Sequence, residues 1–170
     1  MNARYVALLR GVNVNGISIR SADLKALFES NGFENVRTVL ASGNVVFDAA
    51  PAAGLKRQIE RALRERFGYA AWIVLRRQDE LAATVAACPF AGDSEERHAY
   101  VIFGSDETVL RELAGTGEAA AEAVAAGDGV LYWEVARGST LESAFAKVLA
   151  KAKYKPHVTT RNLRTVMKLL

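Results

Sequence analysis

The chain has 170 residues, 51% of them hydrophobic and 24% charged, with 22 Lys and Arg against 19 Asp and Glu. That length buries a proper core in one domain or two small ones, and the composition excludes collagen-like, disordered and disulfide-scaffold proteins. A single cysteine, Cys88, excludes an internal disulfide, and the apolar run Tyr5 to Leu9 is too short for a signal-peptide core or a membrane span. A cytoplasmic protein with no membrane partner is therefore expected.

Arg4 to Arg10 encloses Tyr-Val-Ala-Leu-Leu and predicts a strand buried on both faces. Gly11 to Ile17, rich in Gly and Asn, reads as a loop. Ser21 reads as an N-cap, with Leu24, Leu27 and Phe28 at helical spacing behind it and Gly32 as a left-handed stop. Val36, Thr38 and Leu40 alternate with Arg37 and Val39 as a second strand. Ser42-Gly43-Asn44 makes a tight turn, and Val45-Val46-Phe47 returns as a third strand. Pro51 is expected to open a long helix with the stripe Leu55, Ile59, Ala62, Leu63 and Phe67, ended by Gly68. Ala71 to Leu75 is the fourth strand. The order β-α-β-β-α-β predicts the split βαβ, or ferredoxin-like, sheet in an α+β protein, with spatial strand order 4-1-3-2.

A third helix over 79–87 leads to the polar stretch 91–96. This reads as the boundary between a ferredoxin-like subdomain over 1–90 and a smaller α+β subdomain over 97–170. In the latter, Tyr100 to Phe103 predicts a strand, Glu107 to Ala114 a helix, Gly115 to Gly129 a short weak helix, and Val130 to Trp133 a strand. Leu141, Ala144, Phe145, Val148, Leu149 and Ala152 fit a further helix. Thr159 to Leu170 reads as a closing helix capped by a threonine, with Leu163, Val166, Met167 and Leu170 on one stripe and Arg161, Arg164, Thr165 and Lys168 on the opposite one. Tyr5-Val6 and Tyr100-Val101 open two halves of like order, an echo that suggests duplication.

Charge is uneven. Residues 151–170 hold six basic side chains and no acid, so the other 150 residues carry −3 of the overall +3. Such a tail suits phosphates or nucleic acid, or simply a solvated face.

The loop Arg10-Gly11-Val12-Asn13-Val14-Asn15-Gly16 leaves a strand and enters a helix, where free amides hold anions. Ile17-Ser18 stand where a P-loop needs Lys-Ser/Thr, which excludes that motif, and the glycines fail the dinucleotide pattern. In the split βαβ arrangement the end of the first strand lies beside the start of the third, so Arg10 and Asn13 should share one edge with Ser42 and Asn44. Arg161 and Asn162 are candidate additions to that cluster. His98 and His157 are isolated, Cys88 reads as a small buried thiol, no nucleophile elbow surrounds any serine, and no cofactor motif is evident. These residues bind and orient; they specify no reaction. The leading expectation is a small anionic or phosphate-bearing ligand at the strand ends. A nucleic-acid binding module is the second reading and a protein-interaction module the third.

Three segments carry a resemblance. Arg4 to Val14, Ser42 to Phe47, and Thr159-Thr160-Arg161-Asn162 with Thr165 and Lys168 are similar, in that order, to the signatures of the bacterial proteins grouped as domain of unknown function 1697. The chain departs from them at Asn15, at Ile17-Ser18-Ile19, and at Leu163 and Arg164. The resemblance implies a cytosolic α+β protein of two subdomains, the first ferredoxin-like, and no particular activity.

Overall fold

The computed structural model describes residues 1–11, 17–40, 43–92, 94–120 and 122–170. The chain forms two compact units, Met1–Leu81 with Leu169–Leu170, and Ala82–Lys168.

The first unit contains β1 (Ala3–Leu9), α1 (Ser21–Ser30), β2 (Glu34–Val39), β3 (Asn44–Ala49), α2 (Leu55–Phe67) and β4 (Ile73–Arg77), followed by the start of α3 (Gln78–Ala86). Its sheet runs β2-β3-β1-β4 with every pair antiparallel, the split βαβ order expected from the sequence. Ala7, Leu9, Val45, Phe47 and Ile73 form a core with Leu24 and Phe28 of α1 and Leu55, Ile59 and Leu63 of α2. Phe28 meets the Phe47 ring edge-on at 5.1 Å, and each buried Phe or Leu there contributes about 1.5–3 kcal/mol. The opposite face is buried too: Val6, Leu8, Val46 and Val74 are at most 5% exposed. Leu169 is fully buried, and its carbonyl accepts from the Gln78 amide at 2.9 Å.

The second unit repeats this plan. The end of α3 is followed by β5 (Arg97–Gly104), α4 (Glu107–Ala119), β6 (Ala123–Ala126), β7 (Val130–Ala136), α5 (Ala144–Leu149), a 3-10 turn (Lys155–His157), β8 (Val158–Asn162) and α6 (Leu163–Met167). The sheet runs β6-β7-β5-β8, again antiparallel throughout. Register also repeats. Tyr5 faces Phe47 and Arg77, while Tyr100 faces Trp133 and Asn162. The second half is thus an α+β subdomain, as expected, and its element order is again β-α-β-β-α-β.

Several boundaries shift for physical reasons. Pro51 lies ahead of α2, which starts at Leu55 after the turn at Gly54. The weak helix expected over 115–129 is divided between the end of α4 and strand β6, because Val124 packs where Gly117 leaves room. The helix expected over 141–152 shrinks to α5, with Leu141 86% exposed and Ser143 capping the amide of Ala146. Thr159 to Leu170 is not one helix. The β-branched run Val158-Thr159-Thr160 pairs with β5, and helix begins only at Leu163. The division between units falls at Leu81 and Ala82, inside α3, ahead of the polar stretch at 91–96. Cys88 is half-buried rather than enclosed.

Candidate functional site

In the first unit, β1 ends between the starts of its two neighbours. The Leu9 amide donates to Gly43 O at 2.8 Å and the Arg10 amide to Trp72 O at 3.2 Å. Leu8 sits opposite Asn44, so Arg10 and Asn44 do come to one strand-end edge. Arg10 is half-buried there. Asn13 and Ser42 lie outside the described residues. Left-handed backbone gathers at this edge, with Gly11 at φ 82° and Gly43 at 73°. Leu40, expected within the second strand, instead lies just past its end at φ 60° and half-exposed. A leucine rarely holds that conformation, which costs roughly 1–2 kcal/mol.

Asn44 is completely buried, and its amide donates to Val39 O at 2.9 Å. It therefore acts on this edge by shaping the hairpin. The Tyr69 hydroxyl, in the segment before β4, is buried without a hydrogen-bond partner among the described residues. Burial pushes its pKa up to about 12, so it remains protonated at neutral pH.

In the second unit Arg161 lies on β8 opposite Val101, on the sheet face away from α4 and α5. It is 8% exposed. Its guanidinium donates to Thr159 Oγ1 at 2.6 Å and to Thr160 O at 3.2 Å. Burial drives its pKa down to about 10, which leaves it charged at neutral pH in surroundings that disfavour charge. Asn162 caps α6 by accepting from the Arg164 amide at 2.8 Å. Arg164 and Lys168 are exposed on or just beyond α6.

The sequence reading passed over Arg76. This arginine is half-buried on β4 opposite Val6, and the available signal was a basic pair ending an apolar strand. At the other end of the same sheet, Met1 to Arg4, Pro51 and Arg77 to Asp79 line a cleft of about 450 Å³. Its arginines are engaged in ion pairs, Arg4 with Asp48 at 2.8 Å and Arg77 with Asp79 at 3.0 Å. Among the described residues no three His, Cys, Asp or Glu side chains group to hold a metal, and no helix is long and apolar enough to cross a membrane.

Residues 1–132 match the family described as protein of unknown function, DUF1697. The chain belongs to that family. The conserved bacterial protein SP0830 from Streptococcus pneumoniae has a similar structure, with a TM-score of 0.80 and 21% sequence identity over 99% of this chain and 97% of that one. At that identity the likeness carries the fold. Among curated proteins, none matches. The family match covers Arg10 and Asn44, whereas Arg161 and Asn162 lie beyond its last residue.

Proposed function

We propose that this DUF1697 protein binds a small anionic, phosphate-bearing ligand, with the Arg161 guanidinium as charge partner in the second unit and Arg10 as the candidate in the first. The observation that carries this reading is the burial of Arg161. Taking a guanidinium out of water is costly, and an anion delivered to it restores what solvent supplied. The bonds to Thr159 Oγ1 and Thr160 O hold the planar fork in a fixed orientation. A fork held in this way suits the paired oxygens of a phosphate or carboxylate. Arg10 adds a half-buried cation at a strand-end edge. A cytoplasmic location goes with this reading, since phosphorylated metabolites are held there.

Nucleic-acid reading by the sheets, as in RNA-recognition modules, needs exposed aromatics on the central strands. Here the faces away from the helices carry Val6, Leu8 and Val46 in one unit and Val101, Phe103 and Tyr132 in the other, all at most 2% exposed. The Tyr132 hydroxyl is engaged with Thr84 O at 2.6 Å. The same burial argues against a partner protein docking on either sheet face.

The test is a thermal-shift panel of inorganic phosphate, inorganic pyrophosphate, nucleotides and short single-stranded oligonucleotides at low and high salt. A ligand at a hundred times its Kd adds about 2.7 kcal/mol, which for a chain of this size raises the melting midpoint by roughly 5–10 °C. A salt-tolerant shift with a phosphate compound that disappears in Arg161→Met supports the reading. A shift with oligonucleotides alone, erased by salt, replaces it with nucleic-acid binding.

A further inference from the structure

Arg57, Arg61 and Arg64 fall at i, i+4 and i+7 of α2, so they form one line along the helix, about 10 Å from end to end. The buried residues Leu55, Ile59 and Leu63 take the opposite side, and all three arginines are exposed. The two acids of α2 flank this line without entering it. Glu60 accepts from the Ile73 amide at 3.1 Å and lies 3.8 Å from Lys56, and Glu65 stands to the other side.

This placement runs against the electrostatics of the helix itself. Like charges three and four residues apart repel. The first turn holds no acid, and Lys56 and Arg57 stand in it, at the positive end of the dipole. Sequences break local rules of this sort at functional sites.

Charge and geometry together select the partner. Three guanidiniums in a row complement successive phosphates of a stiff, highly charged backbone. None of the exposed large hydrophobic residues lies on α2, so its outer face has nothing to insert into a membrane. Its one aromatic, Phe67, packs on the core with Arg66 over its ring at 4.9 Å, which leaves no platform for the unstacked bases of a single strand.

We propose that the outer face of α2 docks on the phosphate backbone of double-stranded nucleic acid through Arg57, Arg61 and Arg64, without reading base sequence. Arg161 belongs to the other unit, so this inference stands independently of the ligand reading above.

Fluorescence anisotropy of a labelled DNA duplex tests it on the full chain. Three phosphate contacts give a slope of about −2.7 in log affinity against log salt, or roughly fortyfold weaker binding at 200 mM than at 50 mM. Arg61→Gln should flatten that slope by about 0.9. Arg57→Gln, Arg61→Gln and Arg64→Gln together should abolish binding, whereas Arg111→Gln, at an exposed position of α4, should change nothing. Without ligand, Arg57→Glu is expected to melt above wild type, because it reverses a charge that the dipole and Arg61 both oppose. A lower midpoint would make Arg57 part of the fold and overturn the inference. So would duplex binding that the triple variant retains, or no binding by wild type at low salt. Polyglutamate or anionic vesicles held by the same arginines in place of the duplex would also overturn it, in favour of an acidic protein or a lipid surface.

Discussion

The side-chain amide of Asn44 donates to the carbonyl oxygen of Val39 at 2.9 Å, across the mouth of the β2–β3 hairpin. Asn44 is also the residue that β1 meets at Leu8, so one buried amide fixes both the hairpin and its seat on the central strand. Asn44→Leu keeps the volume and removes the donor, leaving the Val39 oxygen short of a partner. The expected cost is about 1–3 kcal/mol, or roughly 2–4 °C per kcal/mol in the melting midpoint. Urea denaturation checks it: a lower midpoint with an unchanged slope is the expected result.

Asp48 supports a pH prediction. The Asn35 amide at 2.7 Å, and then the Arg4 guanidinium at 2.8 Å, hold its carboxylate below the usual range. Asn35 reaches it from a left-handed position, φ 48°, at the irregularity in the β2–β3 register. A carboxylate with a depressed folded pKa binds fewer protons folded than unfolded, so its contribution is complete above the ordinary value of 3.8 and is lost as pH falls through the folded value. Asp48→Asn should cost about 1–2 kcal/mol at pH 7. The gap between mutant and wild type, followed by urea denaturation, should close as pH falls progressively below the ordinary value of 3.8. A constant gap across that range would show that shape rather than charge matters at this position.

The first unit was legible because its strands are apolar runs bounded by turn residues, and the split βαβ rule then placed Arg10 beside Asn44. The second unit has the same topology but conceals it. Gly115 and Gly117 weaken the helical signal of α4, and β6 is the short run Ala-Val-Ala-Ala, whose small residues fit either structure. Leu163, Val166 and Met167 impose a helical period that draws the threonines before them into a cap and Arg161 onto a helix face. In fact it shares one face of an edge strand with Thr159, alternating with Thr160. No periodicity reports burial of a lone arginine. The echo between the halves is visible at Tyr5 and Tyr100, and the registers extend it: Ala7 faces Val45 in the first unit as Ile102 faces Leu131 in the second.

Gly117 sets two magnitudes against each other. In the last turn of α4 an alanine would favour the helix by up to about 1 kcal/mol. Its Cβ would meet the Val124 side chain of β6 at 2.6 and 2.8 Å, so strand or helix must give way. Such overpacking costs about 1–3 kcal/mol. Gly117→Ala should therefore lower the melting midpoint, and Gly117→Ala with Val124→Ala should recover much of the loss. If the single variant gains stability, α4 and β6 approach less closely than described.

The central claim is that a small anion meets the buried guanidinium of Arg161. Its Nε–Hε group, shielded at 8% residue exposure, should give a resolved ¹⁵N–¹H resonance, assigned by its absence in Arg161→Met. On titration with inorganic pyrophosphate the account predicts a saturable shift of that resonance, with the same half-point as the thermal stabilisation. An Arg161 resonance that stays in place while the protein is stabilised, or while pyrophosphate is raised to millimolar levels without effect, would contradict it.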